Sequence, residues 1–375
     1  MTALLDTVDP EGLEEFSVVF TDRSLNHMSA VFQQVMRDIS GLLKEVYNAD
    51  AVVVVPGGGT FGMEAVARQF ARDKQVLVVR NGWFSYRWSQ IIESGELTAQ
   101  SVVMKARQTG NSSPSPFAPP PIEEVVAEIR ATKPDVVFAP HVETSAGVIL
   151  PDDYITAMAA AAHEVGALMV LDCIASGCIG VDMRATGVDV LISAPQKGWS
   201  ASPCAGLVML SSRAEARLEE TTSDSFAIDL KKWRQIMAAY ENGGHAYHAT
   251  LPTDSLRAFR DTMLETRDYG LDRLREAQWA LGDGVRAMLK DKGIVSVAAD
   301  GFGAPGVVVS YTQDPEIQNG RKFAAKGMQI AAGVPLQCDE PADFSTFRLG
   351  LFGLDKLYDV DATLGRLQRV LNQLF

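Results

Sequence analysis

The chain has 375 residues, 47% of them hydrophobic and 22% charged, a balance that supports a sizeable core in one large α/β unit or in two domains. Its 34 basic against 47 acidic side chains leave a net charge of −13, which argues against nucleic acid as the main partner, because phosphate-backbone binding needs a basic face. Plain solubility accounts for the acidity, and a small anionic ligand needs only a local positive pocket. Cys173, Cys178, Cys204 and Cys338 show no zinc-finger spacing, Met1–Asp6 lacks the basic residues of a signal peptide, and no apolar run approaches membrane-spanning length. The expected setting is a reducing cytoplasm, with no membrane partner.

The first patterned element is the apolar run Ala51–Pro56, a buried strand. It runs into Gly57-Gly58-Gly59-Thr60-Phe61-Gly62 and a helix over Gly62–Ala71. Such a turn exposes backbone N–H groups beside the positive end of a helix and makes an anion site. Gly57, Gly59 and Gly62 also satisfy G-x-G-x-x-G, the dinucleotide fingerprint. That reading wants an acidic residue closing the next strand. Strand Gln75–Val79 ends instead in Arg80-Asn81, which suits only an NADP phosphate on Arg80. A turn that merely packs is the third reading.

The Pro/Ser-rich stretch Asn111–Pro121 reads as a surface loop. Helix Ile122–Ala131, strand Asp135–Ala139, helix Tyr154–Glu164 and strands Leu168–Asp172, Asp189–Ser193 and Gly206–Leu210 follow. All six strand-like runs read as buried and parallel. Their alternation with helices predicts an α/β fold, a mostly parallel sheet covered on both faces.

Asp172 ends an otherwise apolar strand, where a carboxylate is costly without a partner. Lys197, in Ser193-Ala194-Pro195-Gln196-Lys197-Gly198-Trp199, follows the next strand. The separation, 197 − 172 = 25 residues, is one strand-to-strand step, so two successive strands can aim both groups at one crevice at their carboxyl ends. Singly, Lys197 reads as a solvated surface lysine and Asp172 as a helix cap. With the glycine turn they form the trio that pyridoxal phosphate (PLP) chemistry needs: a lysine that binds the cofactor covalently, a carboxylate that keeps its ring nitrogen protonated, and a helix start for its phosphate.

A long charged helical stretch, Thr253–Asp291, precedes strand-like Gly306–Tyr311, a helix near Ile317–Ala331, strand-like Phe347–Phe352 and a closing helix from Asp361. The expected organisation is a large domain over 1–255, then a linking helix and a smaller α+β domain over 256–375. Arg348 lies inside the last apolar strand. Its guanidinium wants a carboxylate, either a substrate's or one in an internal salt bridge.

Together, and in this order, these motifs resemble the class V aminotransferases of PLP-dependent fold type I, in the branch of alanine-, serine- and aspartate-glyoxylate aminotransferases, from Met28 to the C-terminus. Gly58-Gly59-Thr60 resembles the family's phosphate turn, to which Gln196 would contribute. Asn81-Gly82-Trp83-Phe84-Ser85-Tyr86-Arg87 resembles N-G-x-aromatic-G-x-R and implies that Phe84 stacks on the cofactor ring; ordinary core is the alternative for Phe84 and Trp83. His141-Val142-Glu143-Thr144-Ser145-Ala146-Gly147 resembles H-x-E-[ST]-[ST]-x-G and implies Thr144 or Ser145 beside the cofactor's phenolic oxygen. From the residues alone, His141 and Glu143 equally make a satisfied polar pair. Tyr247-His248-Ala249-Thr250-Leu251-Pro252 resembles Y-H-x-T-x-P and implies a homodimer in which Tyr247 and Thr250 reach a neighbour's phosphate. The resemblance further implies Lys197 as the Schiff-base lysine, Asp172 at the pyridine nitrogen and Arg348 on the substrate carboxylate.

The implied activity is ping-pong transfer of an amino group from a small amino acid (alanine, serine or aspartate-like) to glyoxylate or another small 2-oxo acid. Three alternatives stay open: a PLP lyase or cysteine desulfurase using Cys338, an NADP-dependent reductase using the glycine turn, and a PLP-binding regulatory or structural protein. Gln196 and Phe84 stand where desulfurases tend to carry histidines. The family's N-terminal Pro-Gly-Pro is missing; Glu15–Ser24 takes its place, and H-R-S appears as His27-Met28-Ser29. Arg23 there meets a second substrate carboxylate or is a plain surface arginine.

Overall fold

The computed structural model describes residues 8–111 and 114–375. Met1–Asp6, read above for a targeting signal, and Ser112–Ser113 of the proline-rich loop lie outside the described residues. Seven strands form the main sheet: β1 (Ala51–Pro56), β2 (Val76–Arg80), β3 (Ser101–Lys105), β4 (Val136–Pro140), β5 (Leu168–Asp172), β6 (Val190–Ser193) and β7 (Ala205–Leu210), in the order β1-β7-β6-β5-β4-β2-β3. All but β3 are mainly apolar runs, buried along their length apart from Pro56, as a helix-covered sheet requires. Strand β7 pairs antiparallel with both β1 and β6, which corrects the parallel reading of Gly206–Leu210. The link from β6, Ala194–Cys204, contains no crossover helix, and a parallel return needs one.

Helix α1 (Ala30–Tyr47) starts at Ser29, whose hydroxyl accepts the Phe32 N–H at 3.1 Å, and buries Phe32, Val35, Met36, Ile39 and Leu43 along one stripe. Helix α2 (Gly59–Phe70) begins three residues before the expected Gly62, because Gly57, at φ +122, turns the chain directly out of β1. Helix α3 (Trp83–Ser94) follows β2, α4 (Ile122–Thr132) precedes β4, and α5 (Asp152–Glu164) precedes β5. The stretch read as one long helix is two, α6 (Thr253–Tyr269) and α7 (Leu271–Asp291), broken at Gly270 with φ +110.

Beyond α7, strands β8 (Val307–Tyr311), β9 (Ala331–Ala332) and β10 (Thr346–Gly350) make a second, antiparallel sheet in the order β8-β10-β9. The helix expected near Ile317–Ala331 is two short turns, Pro315–Gln318 and Arg321–Ala324, parted by Gly320 at φ +81. One apolar core surrounds the main sheet. Another joins Leu274, Leu281 and Leu289 of α7 to Val308, Phe347 and Leu349. Among the described residues no helix is long and apolar enough to cross a membrane.

The start of α2 lies directly on β7. A Cβ at Gly206 would come within 2.6 Å of the Gly62 nitrogen and 2.9 Å of the Gly58 carbonyl oxygen, and backbone cannot step aside cheaply. Gly206→Ala is expected to lower the unfolding free energy by about 1–3 kcal/mol in a urea titration. An unchanged midpoint would contradict this close approach.

Candidate active site

The segments that follow the carboxyl ends of β1, β2, β4, β5 and β6 carry Gly58, Phe84, Thr144, Asp172 and Lys197 at or just past the strand ends, on one edge of the sheet. At the end of β1, Gly58 caps α2 with extended backbone and open space where a Cβ would stand, whereas a Cβ at Gly59 would strike Ile174 at 2.5 Å. The first N–H groups of α2 have no partner within the helix. Thr60 offers its hydroxyl oxygen to Arg87 Nη1 at 2.9 Å.

Asp172 closes β5 and is buried, with Oδ1 accepting the Ile174 N–H at 2.9 Å. Burial drives its carboxyl up to about 7, with the Glu143 charge adding to the rise while the Ile174 N–H and Arg87 oppose it. Lys197 follows β6, half-buried, with Nζ 5.2 Å from the Phe352 ring centroid. Burial first, and Arg348 second, hold its ammonium below the ordinary lysine range. Gln196 has a buried Oε1 with no partner.

Phe84 sits on the first turn of α3 with a guanidinium on each account: Arg87 Cζ lies 5.2 Å and Arg348 Cζ 5.6 Å from its ring centroid. Arg348, from β10, donates Nε to the Ala332 carbonyl at 2.8 Å and forms no ion pair among the described residues. The internal salt bridge considered for it is therefore not what the fold provides. Its guanidinium is held below its ordinary value by burial, with Glu143 acting the other way.

Thr144 and Ser145 follow β4. The Ser145 hydroxyl is already engaged: it donates to Glu143 Oε1 at 2.7 Å and accepts the Trp83 N–H at 2.9 Å. Thr144 is the hydroxyl left uncommitted. His141 and Glu143 are not a pair. His141 Nδ1 meets Ser176 Oγ at 2.7 Å, and burial holds its imidazole down to about 4. Glu143 turns to α3.

Tyr247 and Thr250 lie away from this cluster, exposed and hydrogen-bonded to each other at 3.0 Å. Arg23 is 72% exposed and lies 3.7 Å from Asp22, as the surface reading has it. Cys338 is buried, its thiol pushed up to about 12 chiefly by that burial. Arg80 is also buried and donates to Ser89 Oγ at 2.7 Å and the Gln337 carbonyl at 3.3 Å, so it does not face a ribose phosphate. Sequence reasoning missed the part played by Arg87, the last residue of the N-G-x-aromatic-G-x-R match, which ties Thr60, Phe84 and Asp172 together.

The family model described as aminotransferase class-V matches residues 12–300. A soluble hydrogenase small subunit from Synechococcus is 26% identical over 353 residues, 93% of this chain and 88% of that protein. A 2-aminoethylphosphonate–pyruvate transaminase from Paraburkholderia phymatum is 28% identical over 358 residues, covering 92% and 90%. The crystal structure of an alanine–glyoxylate aminotransferase from Nostoc superposes with a TM-score of 0.75 at 22% identity, covering 92% of this chain and 89% of that one.

The raised Asp172 carboxyl has a consequence for the ligand-free protein. Unfolded, the group titrates near its ordinary value; folded, near 7. Between those values the folded chain holds a proton that the unfolded chain lacks, so the stability it brings is full at low pH and is lost as pH rises toward 7. Ligand-free Asp172→Asn is expected to be more stable than the parent above about pH 8 and to lose less stability across that window. Parallel pH–stability curves would contradict the assignment.

Proposed function

The chain belongs to the class V aminotransferases, and from that premise we propose that it moves the amino group of a small amino acid to a small 2-oxo acid, with PLP held at Lys197 in the crevice described above. The observation that carries the reading is the run of contacts from Thr60 through Arg87 and Phe84 to Arg348, with the Arg87 charge felt at Asp172 and the Arg348 charge felt at Lys197.

The residues fit the cofactor. The free N–H groups at Gly58, Gly59 and Thr60, with Gln196, would hold its phosphate. The Thr144 hydroxyl would meet the phenolic oxygen, and Phe84 would cover one face of the ring. Asp172, costly alone, would be stabilised as a carboxylate beside a protonated ring nitrogen. When bound, PLP supplies an electron sink for the electron pair at the substrate's α-carbon. Lys197, whose environment favours the neutral amine, can take the proton from that carbon and return one to the acceptor's. Arg348 orients the substrate by pairing bidentately with its carboxylate.

The amino donor is alanine, serine, aspartate or a similar small amine, and the acceptor glyoxylate or pyruvate, in line with the resemblance and with the relative's phosphonate–pyruvate activity. Tyr247 and Thr250, exposed on one copy, would complete the phosphate site of a second, so the working unit is a homodimer. The same reading divides the chain into a cofactor-binding part, 1–255, and a linking helix with a smaller domain, 256–375, whose Arg348 closes on Lys197. Against the desulfurase alternative stands Cys338, whose buried thiol stays protonated and is a poor nucleophile.

Donors alanine, serine, aspartate and 2-aminoethylphosphonate, assayed against glyoxylate and pyruvate, test the reading. One pair at least is turned over. Lys197→Ala lowers kcat by roughly 10³-fold or more without loss of fold. Arg348→Ala raises KM for carboxylate substrates about tenfold or more. Cys338→Ala leaves turnover unchanged. Full activity in Lys197→Ala, or sulfide released from cysteine with Cys338 required, would overturn it.

A further inference from the structure

Glu143 is the one carboxylate in this neighbourhood that the reading above does not use. It is fully buried and has no cation in an ion pair among the described residues. An uncompensated buried carboxylate is expensive, yet this one is saturated with hydrogen bonds. Oε1 accepts the Phe84 N–H at 3.2 Å, the Ser145 N–H at 3.0 Å and the Ser145 hydroxyl at 2.7 Å. Oε2 accepts the Ser85 N–H at 2.8 Å and the Ser85 hydroxyl at 2.7 Å. The carboxylate thus caps α3 from a loop 58 positions away in sequence, and the positive end of the helix stabilises its charge.

Ser85 adds a second tie. Its oxygen accepts the Asn81 N–H at 2.9 Å and the Gly82 N–H at 3.1 Å, and its proton has Glu143 Oε2 at 2.7 Å as the nearer acceptor and the Gly82 carbonyl at 3.0 Å as the other. Gly82 leaves the room this needs: a Cβ there would fall 2.1 Å from Ser145 Oγ and 2.8 Å from Glu143 Cγ. Ser85 also stands where the N-G-x-aromatic-G-x-R pattern has glycine, so the hydroxyl tie belongs to this chain and not to the pattern.

Several bonds of this knot bear on residues of the candidate site. The Phe84 N–H is held, which fixes the residue whose ring meets both Arg87 and Arg348. Trp83 is held through Ser145. The Ser145 proton is consumed, which leaves Thr144 as the hydroxyl available to a ligand. The Glu143 charge reaches both Asp172 and Arg348.

We propose that Glu143 and Ser85 are positioning residues for transamination: they lock the first turn of α3 to the loop after β4, so that Phe84 and Thr144 are pre-set to receive the cofactor. The proposal rests on the reading that PLP occupies this crevice. It assigns neither residue a contact with substrate.

The test uses the full-length protein stripped of cofactor and then titrated with PLP, for the parent, Ser85→Ala, Ser85→Gly and Glu143→Gln. Three quantities are read: the PLP dissociation constant, the pH at which the cofactor's visible band titrates, and the thermal midpoint of the ligand-free form. Ser85→Ala and Ser85→Gly are expected to fold and to bind PLP about tenfold more weakly, the scale of a lost helix cap expressed as affinity. Glu143→Gln moves the band's titration to lower pH, because a negative charge facing the site is gone. If Glu143→Gln does not fold, the serine variants decide. A parent that takes up no PLP overturns the cofactor reading and this inference with it. A parent that takes up PLP while the serine variants match its affinity and its titration overturns the lock alone, even if their thermal midpoints fall.

Discussion

Charge buried without a counter-charge is the constraint on which this molecule turns. At the carboxyl end of the sheet the chain assembles Asp172, Lys197 and Arg348, each desolvated, none neutralised by an ion pair among the described residues. Taking such groups out of water costs several kcal/mol apiece unless something returns the lost solvation. A fold that holds a carboxylate up, an ammonium down and a guanidinium unpaired in one crevice is poised for a ligand carrying the opposite charges in the same arrangement. Under the proposed function a protonated ring nitrogen would complement Asp172, a substrate carboxylate would complement Arg348, and an aldehyde would react with the neutral Lys197 amine.

The sheet makes the arrangement possible. Parallel strands bring chain segments far apart in sequence to one edge, and each strand end offers a single position to a functional group. β1 gives the glycine turn, β4 the Thr144 loop, β5 Asp172 and β6 Lys197. Gly206 on β7 lets α2 sit close enough that its first N–H groups face the same space. Arg348 arrives from the second sheet, so the electrostatic grouping depends on the apolar cluster in which Val142, Val148 and Ala175, from the loops after β4 and β5, meet Val307 and Val309 of β8.

Much of this was legible in the residues. Apolar runs with no polar alternation, short and rich in β-branched residues, read as strands buried on both faces, and the 25-residue step from Asp172 to Lys197 fits one strand-to-strand return. Other features left no local trace. An apolar run reads the same in either direction, so the antiparallel β7 was hidden. The start of α3 is written in aromatic residues and capped locally only by Ser85 at its third position, while its second cap, Glu143, is distant in sequence. Gly270 and Gly320 broke helices that charge pattern alone joined. Which of Thr144 and Ser145 keeps a free hydroxyl depends on where one proton goes, and only the folded contacts decide that.

The most direct measurement is the visible absorbance of the purified protein incubated with PLP, followed on adding an amino donor and then glyoxylate or pyruvate. The account predicts a band in the parent that fades with at least one donor and returns with the oxo acid, as the amino group passes onto the cofactor and off again. A protein that develops no band with PLP, or a band that no donor alters, would contradict it.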